Sequence, residues 1–178
     1  KKNRKEDTKL KKRLLILPML LLSLILVSCG KTEGNDAAGE NTEPKLVGSL
    51  SEIMDSVYEN ADLSQDFRDA MTGFEAGEIP AESAEYLIGT ADVEYAESYY
   101  SIPMINVNPY QCILLRLPEG ADVEAAKETL LANADPRKWV CVEAESVVVE
   151  NVGDVILFLM ADTATADAIK ASFLALGE

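Results

Sequence analysis

The sequence predicts an α+β domain, a mainly antiparallel sheet of about four to five strands packed on helices, and two observations carry that prediction. Apolar residues at helical spacing alternate with short runs rich in Val, Ile and Tyr, and only a few residues join one pattern to the next. Connections that short cannot form the crossovers that parallel strands require, so the strands should run antiparallel with helices laid against one face. A single domain is enough. Setting aside an export segment and a tail leaves about 130 residues, close to the common size of one domain.

The domain is expected over residues 46–178, and each element has its own local signal. Ser49 followed three residues later by Glu52 has the form of a capping box, and Leu50, Ile53, Met54 and Val57 then share one helical stripe. Leu63, Phe67 and Met71 make a second, shorter stripe that stops at Gly73. Residues 74–84 carry Gly, Pro and Glu and read as a loop. Beyond it the pattern shifts toward strands. Residues 85–88 are a short apolar run closed by Gly89, and residues 93–102, rich in Tyr, read as a half-buried strand, although Tyr95, Tyr99 and Ile102 would also share one side of a helix. Residues 110–117 form a firmer strand stopped by Pro118-Glu119-Gly120.

Asp122 then caps a helix whose Val123, Ala126, Leu130 and Leu131 make one apolar face. Residues 139–142 and 147–150 are β-branched runs, and residues 151–154 read as the turn of a hairpin into residues 155–160. That last run is apolar on both faces, which suits a central, covered strand. A final helix starts near Thr163, turns Ala166, Ile169, Phe173 and Leu176 inward and stops at Gly177.

Ahead of the domain, residues 1–13 are basic, and residues 14–27 are almost all Leu, Ile, Met and Val, relieved only by Pro18 and Ser23. A basic segment followed by an apolar run short of the ~20 residues of a spanning helix has the form of a signal peptide, here residues 1–28. The run ends at Leu26-Val27-Ser28-Cys29-Gly30, which resembles the lipobox of bacterial lipoproteins. That resemblance implies cleavage between Ser28 and Cys29 and a diacylglyceryl group, typically palmitate-bearing, on the Cys29 sulfur. Acyl chains contribute ~0.8 kcal/mol per buried CH₂, so two chains on one residue hold a domain at a bilayer with no protein span. An uncleaved anchor helix or an ordinary secretory signal is the competing reading. Residues 29–45 contain no large apolar side chain and are expected to form a flexible acidic linker.

Charge and composition narrow the function. The chain carries 16 Lys and Arg against 31 Asp and Glu; residues 1–28 hold eight of the former and two of the latter, leaving eight against 29 and a net charge of −21 afterwards. So acidic a body repels phosphate backbones, which argues against nucleic acid as a partner. Solubility accounts for the acids most simply, while cationic partners or divalent metal ions stay compatible with them. There is no histidine. Its absence excludes Ser-His-Asp and Cys-His catalysis and removes the usual ligands of catalytic zinc and non-haem iron. Phosphate-binding Gly-rich loops and a Gly-x-Ser-x-Gly elbow are also missing from the sequence. No cofactor or metal is expected, and the domain reads as non-enzymatic. Paired carboxylates, as in glycoside hydrolysis, are the one catalytic option the composition leaves, and no pair stands out.

Three further groups have two readings each. Cys112 and Cys141 both fall within apolar runs and read as free buried thiols, with a disulfide as the alternative if their strands are neighbours. Tyr95, Tyr99 and Tyr100 are the candidate binding surface, because adjacent tyrosines on a strand point opposite ways and one can face solvent; the plain alternative is that Tyr is a good strand residue. Residues 135–139, Asp-Pro-Arg-Lys-Trp, make a basic and aromatic patch that suits an anion or a partner, or else a turn that leads Trp139 into the core, which is the preferred reading.

From about Leu46 to Leu176 the chain resembles an uncharacterised family of Gram-positive bacterial lipoproteins, a domain of unknown function. The residues that carry the resemblance are Gly120-Ala-Asp-Val-Glu-Ala-Ala-Lys127, Asp135-Pro-Arg-Lys-Trp139 and Val152-Gly-Asp-Val155, together with the lipobox. It implies a surface lipoprotein and brings no catalytic residues. The expected function is therefore a membrane-tethered, extracytoplasmic binding or protein-interaction domain on the outer face of the cytoplasmic membrane, recognising a surface protein or a small ligand. The alternative is a carboxylate-based extracytoplasmic enzyme, or a subunit of one, acting on cell-wall material.

Overall fold

Helix α1 (Leu50–Asn60) starts where its capping chemistry dictates. The Ser49 hydroxyl accepts from the Glu52 N–H at 3.3 Å, and the Glu52 carboxylate accepts from the Ser49 N–H at 2.9 Å, so two otherwise orphaned donors are satisfied reciprocally. Its Leu50, Ile53, Met54 and Val57 are buried together, as the stripe requires. A computed structural model of the chain describes residues 45–105 and 107–178. The expected signal peptide, the cleavage and lipidation positions Ser28 and Cys29, and the linker as far as Pro44 lie outside the described residues.

The remaining elements are α2 (Gln65–Met71), β1 (Phe74–Gly77), α3 (Ala84–Ile88), β2 (Glu97–Pro103), β3 (Gln111–Arg116), α4 (Val123–Asn133), β4 (Ser146–Val152), β5 (Val155–Ala161) and α5 (Thr163–Ala175). Side-chain oxygens of Ser64, Asp122 and Asp162 cap α2, α4 and α5. The five strands form one sheet in the order β1-β2-β3-β5-β4, and every adjacent pair is antiparallel. The α+β class with an antiparallel sheet therefore holds. Among the described residues no helix is long and apolar enough to cross a membrane.

The expectation that helices cover one face is corrected: both faces are covered. On one side Cys112, Leu114, Leu157 and Leu159 pack with α1 and α5; on the other Ile113, Leu115, Ile156, Phe158 and Met160 pack with Leu87, Ile88, Leu130 and Trp139. Alternation along β3 and β5 thus feeds two cores, which is why all seven residues of β5 are buried.

Four local expectations are also corrected. Residues 74–84 are not all loop, because residues 74–77 form the edge strand β1, paired with the end of β2, and residues 81–83 form one 3₁₀ turn. Residues 85–88 are helical, as α3 closes on Gly89 in the left-handed region, where φ is 87° and an added Cβ would lie 2.3 Å from the Asn133 carbonyl oxygen. Residues 139–142 form no strand. The chain turns there, held by the Ala144 N–H donating to the Pro136 carbonyl at 2.8 Å, and Cys141 is exposed at φ 62° instead of buried. Leu131 lies outside the apolar face of α4 and is exposed, whereas Leu130 beside it is fully buried.

Candidate functional site

The two ends of the sheet carry different features. At one end the chain enters the domain. Arg116, the last residue of β3, donates from Nη1 to the Leu46 carbonyl at 3.0 Å and from Nη2 to the Gly48 carbonyl at 2.8 Å, while ion pairs to Glu97 and Asp154 hold the guanidinium in place. Lys45 adds a further ion pair to Asp154. The other end lies five strand residues away, about 17 Å at the usual rise. There the β2–β3 connection exposes Met104, Ile105 and Val107 at 75%, 69% and 67%. Three large apolar side chains on one short loop form an unusual local concentration for a soluble surface.

The three candidate tyrosines are divided by the structure. Tyr95 and Tyr99 line one open hollow of about 470 Å³ beside the start of α1, together with Ser49, Ser51, Glu78 and Glu97. Tyr100 is not part of it. It points to the opposite face of the sheet, is buried, and donates its hydroxyl to the Glu75 carboxylate at 2.7 Å, a contact that pushes the hydroxyl up to about 12. The period of two along β2 separates Tyr99 from Tyr100, whereas Tyr95 precedes that strand.

A second hollow, of about 230 Å³, opens between α3, the C-terminal end of α4 and the turn before Trp139. Residues 135–139 do form a turn: the Asp135 carboxylate accepts from the Arg137 N–H at 3.0 Å, and Trp139 is delivered to the core as expected. The same turn also drives Lys138 inward. Its ammonium lies 4.7 Å from the centroid of the Tyr86 ring and 5.5 Å from that of Trp139, and it donates to the Tyr86 carbonyl at 3.2 Å and to the side-chain oxygen of Gln111. Among the described residues it forms no salt bridge. Burial pushes the amine down to about 8, against a smaller upward pull from Asp135.

Gln111 was not singled out by the sequence, although a glutamine heading the apolar run Cys-Ile-Leu-Leu is a legible signal. The side chain is fully buried, its oxygen occupied by Lys138, and its amide nitrogen has no hydrogen-bond partner among the described residues. An orphaned buried donor costs about 1–3 kcal/mol, so a partner here matters.

Carboxylates come together around a third hollow of about 530 Å³, where Asp62, Asp66 and Asp162 contribute to the lining. Asp162 is engaged as the cap of α5, accepting from the Thr165 N–H at 3.0 Å. Among the described residues no group of three or more Cys, Asp or Glu side chains is arranged to hold a metal ion. The chain matches no protein-family model, no curated protein and no solved structure.

Proposed function

We propose that the chain is a lipoprotein anchored through Cys29 on the outer face of the cytoplasmic membrane, of the Gram-positive family it resembles, and that its domain binds a ligand or a surface protein without catalysing a reaction. The observation that carries the reading is the opposition of the two sheet ends. The entering chain at Lys45–Gly48 is fastened by Arg116 and Asp154, while the exposed apolar loop and the Lys138 hollow lie at the other end, where a tethered domain presents itself outward. Lipidation of Cys29 supplies the membrane contact, and the linker gives a reach of roughly 5–6 Å times the square root of its length. The carboxylate-enzyme alternative requires two unengaged acids facing each other in a cleft; capping engages Asp162, which leaves Asp62 and Asp66 in the third hollow as the pair that reading would use.

Fractionation of the full chain in a Gram-positive host tests the reading. The wild type should sediment with membranes and be digested by protease added outside intact protoplasts, while Cys29→Ala should be released into the medium. Equal membrane retention of both forms would contradict lipidation, and protection of the wild type from external protease would contradict the outward address.

A further inference from the structure

We propose that the hollow beside Lys138 is a binding site for a small monocarboxylate with a short apolar tail, its carboxylate paired with the Lys138 ammonium. The inference deepens the binding part of the proposed function and is independent of the tether, since none of its residues belongs to the entering segment.

The donors match the ligand class. An ammonium has three N–H groups, and two of them are taken by the Tyr86 carbonyl and the Gln111 oxygen, which leaves one. A carboxylate brings acceptor oxygens and a single negative charge, which fits the one remaining ammonium donor. It would pair a cation that forms no salt bridge among the described residues and otherwise meets only two aromatic faces and two neutral oxygens.

The lining sets the rest of the molecule. Leu87, Ile88, Phe158 and Met160 present apolar surface, so the tail should be hydrocarbon. At about 230 Å³ the hollow is below the range of pockets that take drug-sized ligands, so the tail should be short. Glu85 on the rim and Asp135 in the turn disfavour a dianion such as phosphate.

The titratable groups facing the ammonium are Glu85 and Tyr86 from α3 and Asp135 from the turn. The other elements around the hollow present Asn133, Phe158 and Met160, and the ammonium also touches Gln111; none of these titrates. Carboxylate binding should therefore follow the charge of Lys138 and weaken as the pH rises through about 8.

The test uses the full chain in detergent with butyrate as the probe, and isosteric neutral butyramide as its control. Binding is read by ligand-observed saturation-transfer NMR, and its place by fluorescence of Trp139, the only tryptophan in the chain. Butyrate should bind with a Kd of about 1 mM or tighter at pH 7, and at least ~10-fold more weakly at pH 9.5 or in Lys138→Met. Absence of saturable butyrate binding, equal binding of butyramide, or affinity unchanged by both pH and Lys138→Met would overturn the assignment. If Lys138→Met fails to fold, the pH series and the butyramide control on the wild type decide the matter. Butyrate binding by a wild type that does not fractionate with membranes would sink the tether and leave the site standing, and the converse result would do the opposite.

Discussion

Arg116 and Gly48 are joined across 68 positions of sequence by a 2.8 Å hydrogen bond from Nη2 to the carbonyl oxygen, and that contact fastens the entering chain to the end of β3. The guanidinium is largely buried and has four partners among the described residues, two backbone carbonyls and two carboxylates. Arg116→Ala should destabilise the domain by about 2 kcal/mol, since charge-assisted bonds contribute more than neutral ones. It should also free residues 45–48 first. Hydrogen exchange measured by mass spectrometry checks both, with amides at the start of α1 losing protection ahead of the sheet.

The Tyr58 and Tyr110 hydroxyls meet at 2.7 Å between the sheet and α1, and both groups are buried. Burial raises each hydroxyl's pKa well above its ordinary value, so the pair is neutral throughout the physiological range. Either single change to Phe leaves the other hydroxyl without its partner and should cost about 1–3 kcal/mol. The double variant should cost less than the two singles combined. Urea denaturation of the four proteins closes the cycle, and simple additivity would contradict the pairing.

Cys112 and Cys141 should differ sharply in reactivity. Burial pushes the Cys112 thiol up to about 12 from 9, whereas Cys141 stands exposed on its turn. A thiol-specific alkylating reagent at pH 8 should modify Cys141 in the folded protein and reach Cys112 only after unfolding, as peptide mass spectrometry will read. Because the folded state holds the Cys112 proton, this group's contribution to stability is complete below pH 9 and is lost as the pH climbs from 9 toward 12.

Lys138 acts with the opposite sign. Burial moves its folded-state value down from 10.5 to about 8, so the folded protein gives up the proton more readily than the unfolded chain does. The charged amine therefore opposes folding below pH 8, and that penalty fades between pH 8 and 10.5. Lys138→Met removes the titration. Denaturation midpoints should show the variant gaining most over the wild type at pH 7, with its advantage shrinking by pH 10.5; a difference independent of pH would contradict the burial of the amine.

The sequence made some elements legible and concealed others for identifiable reasons. Ser49 with Glu52, and Asp122 before its helix, could be read because capping is local, and residues 155–160 announced a covered strand by being apolar throughout. Residues 74–77 looked like loop because Gly73, Gly77 and Pro80 punctuate them, and pairing with residues 100–103 makes the strand. Residues 85–88 carry no periodic signal in so short a run, so the left-handed cap at Gly89 and burial of Leu87 and Ile88 decide the helix. The candidate site was half legible. Lys138 and Trp139 stood out as a basic and aromatic patch, but the partners that give the lysine its setting, Tyr86 and Gln111, lie 52 and 27 positions away and only the fold brings them in.

The tethered address is the central claim, and intact mass of the protein purified from a Gram-positive host tests it most directly. The account predicts a mature chain beginning at Cys29 and heavier than its peptide mass by a diacylglyceryl group, with the addition missing from Cys29→Ala. An unmodified chain that begins elsewhere, or one that keeps residues 1–28, would contradict it.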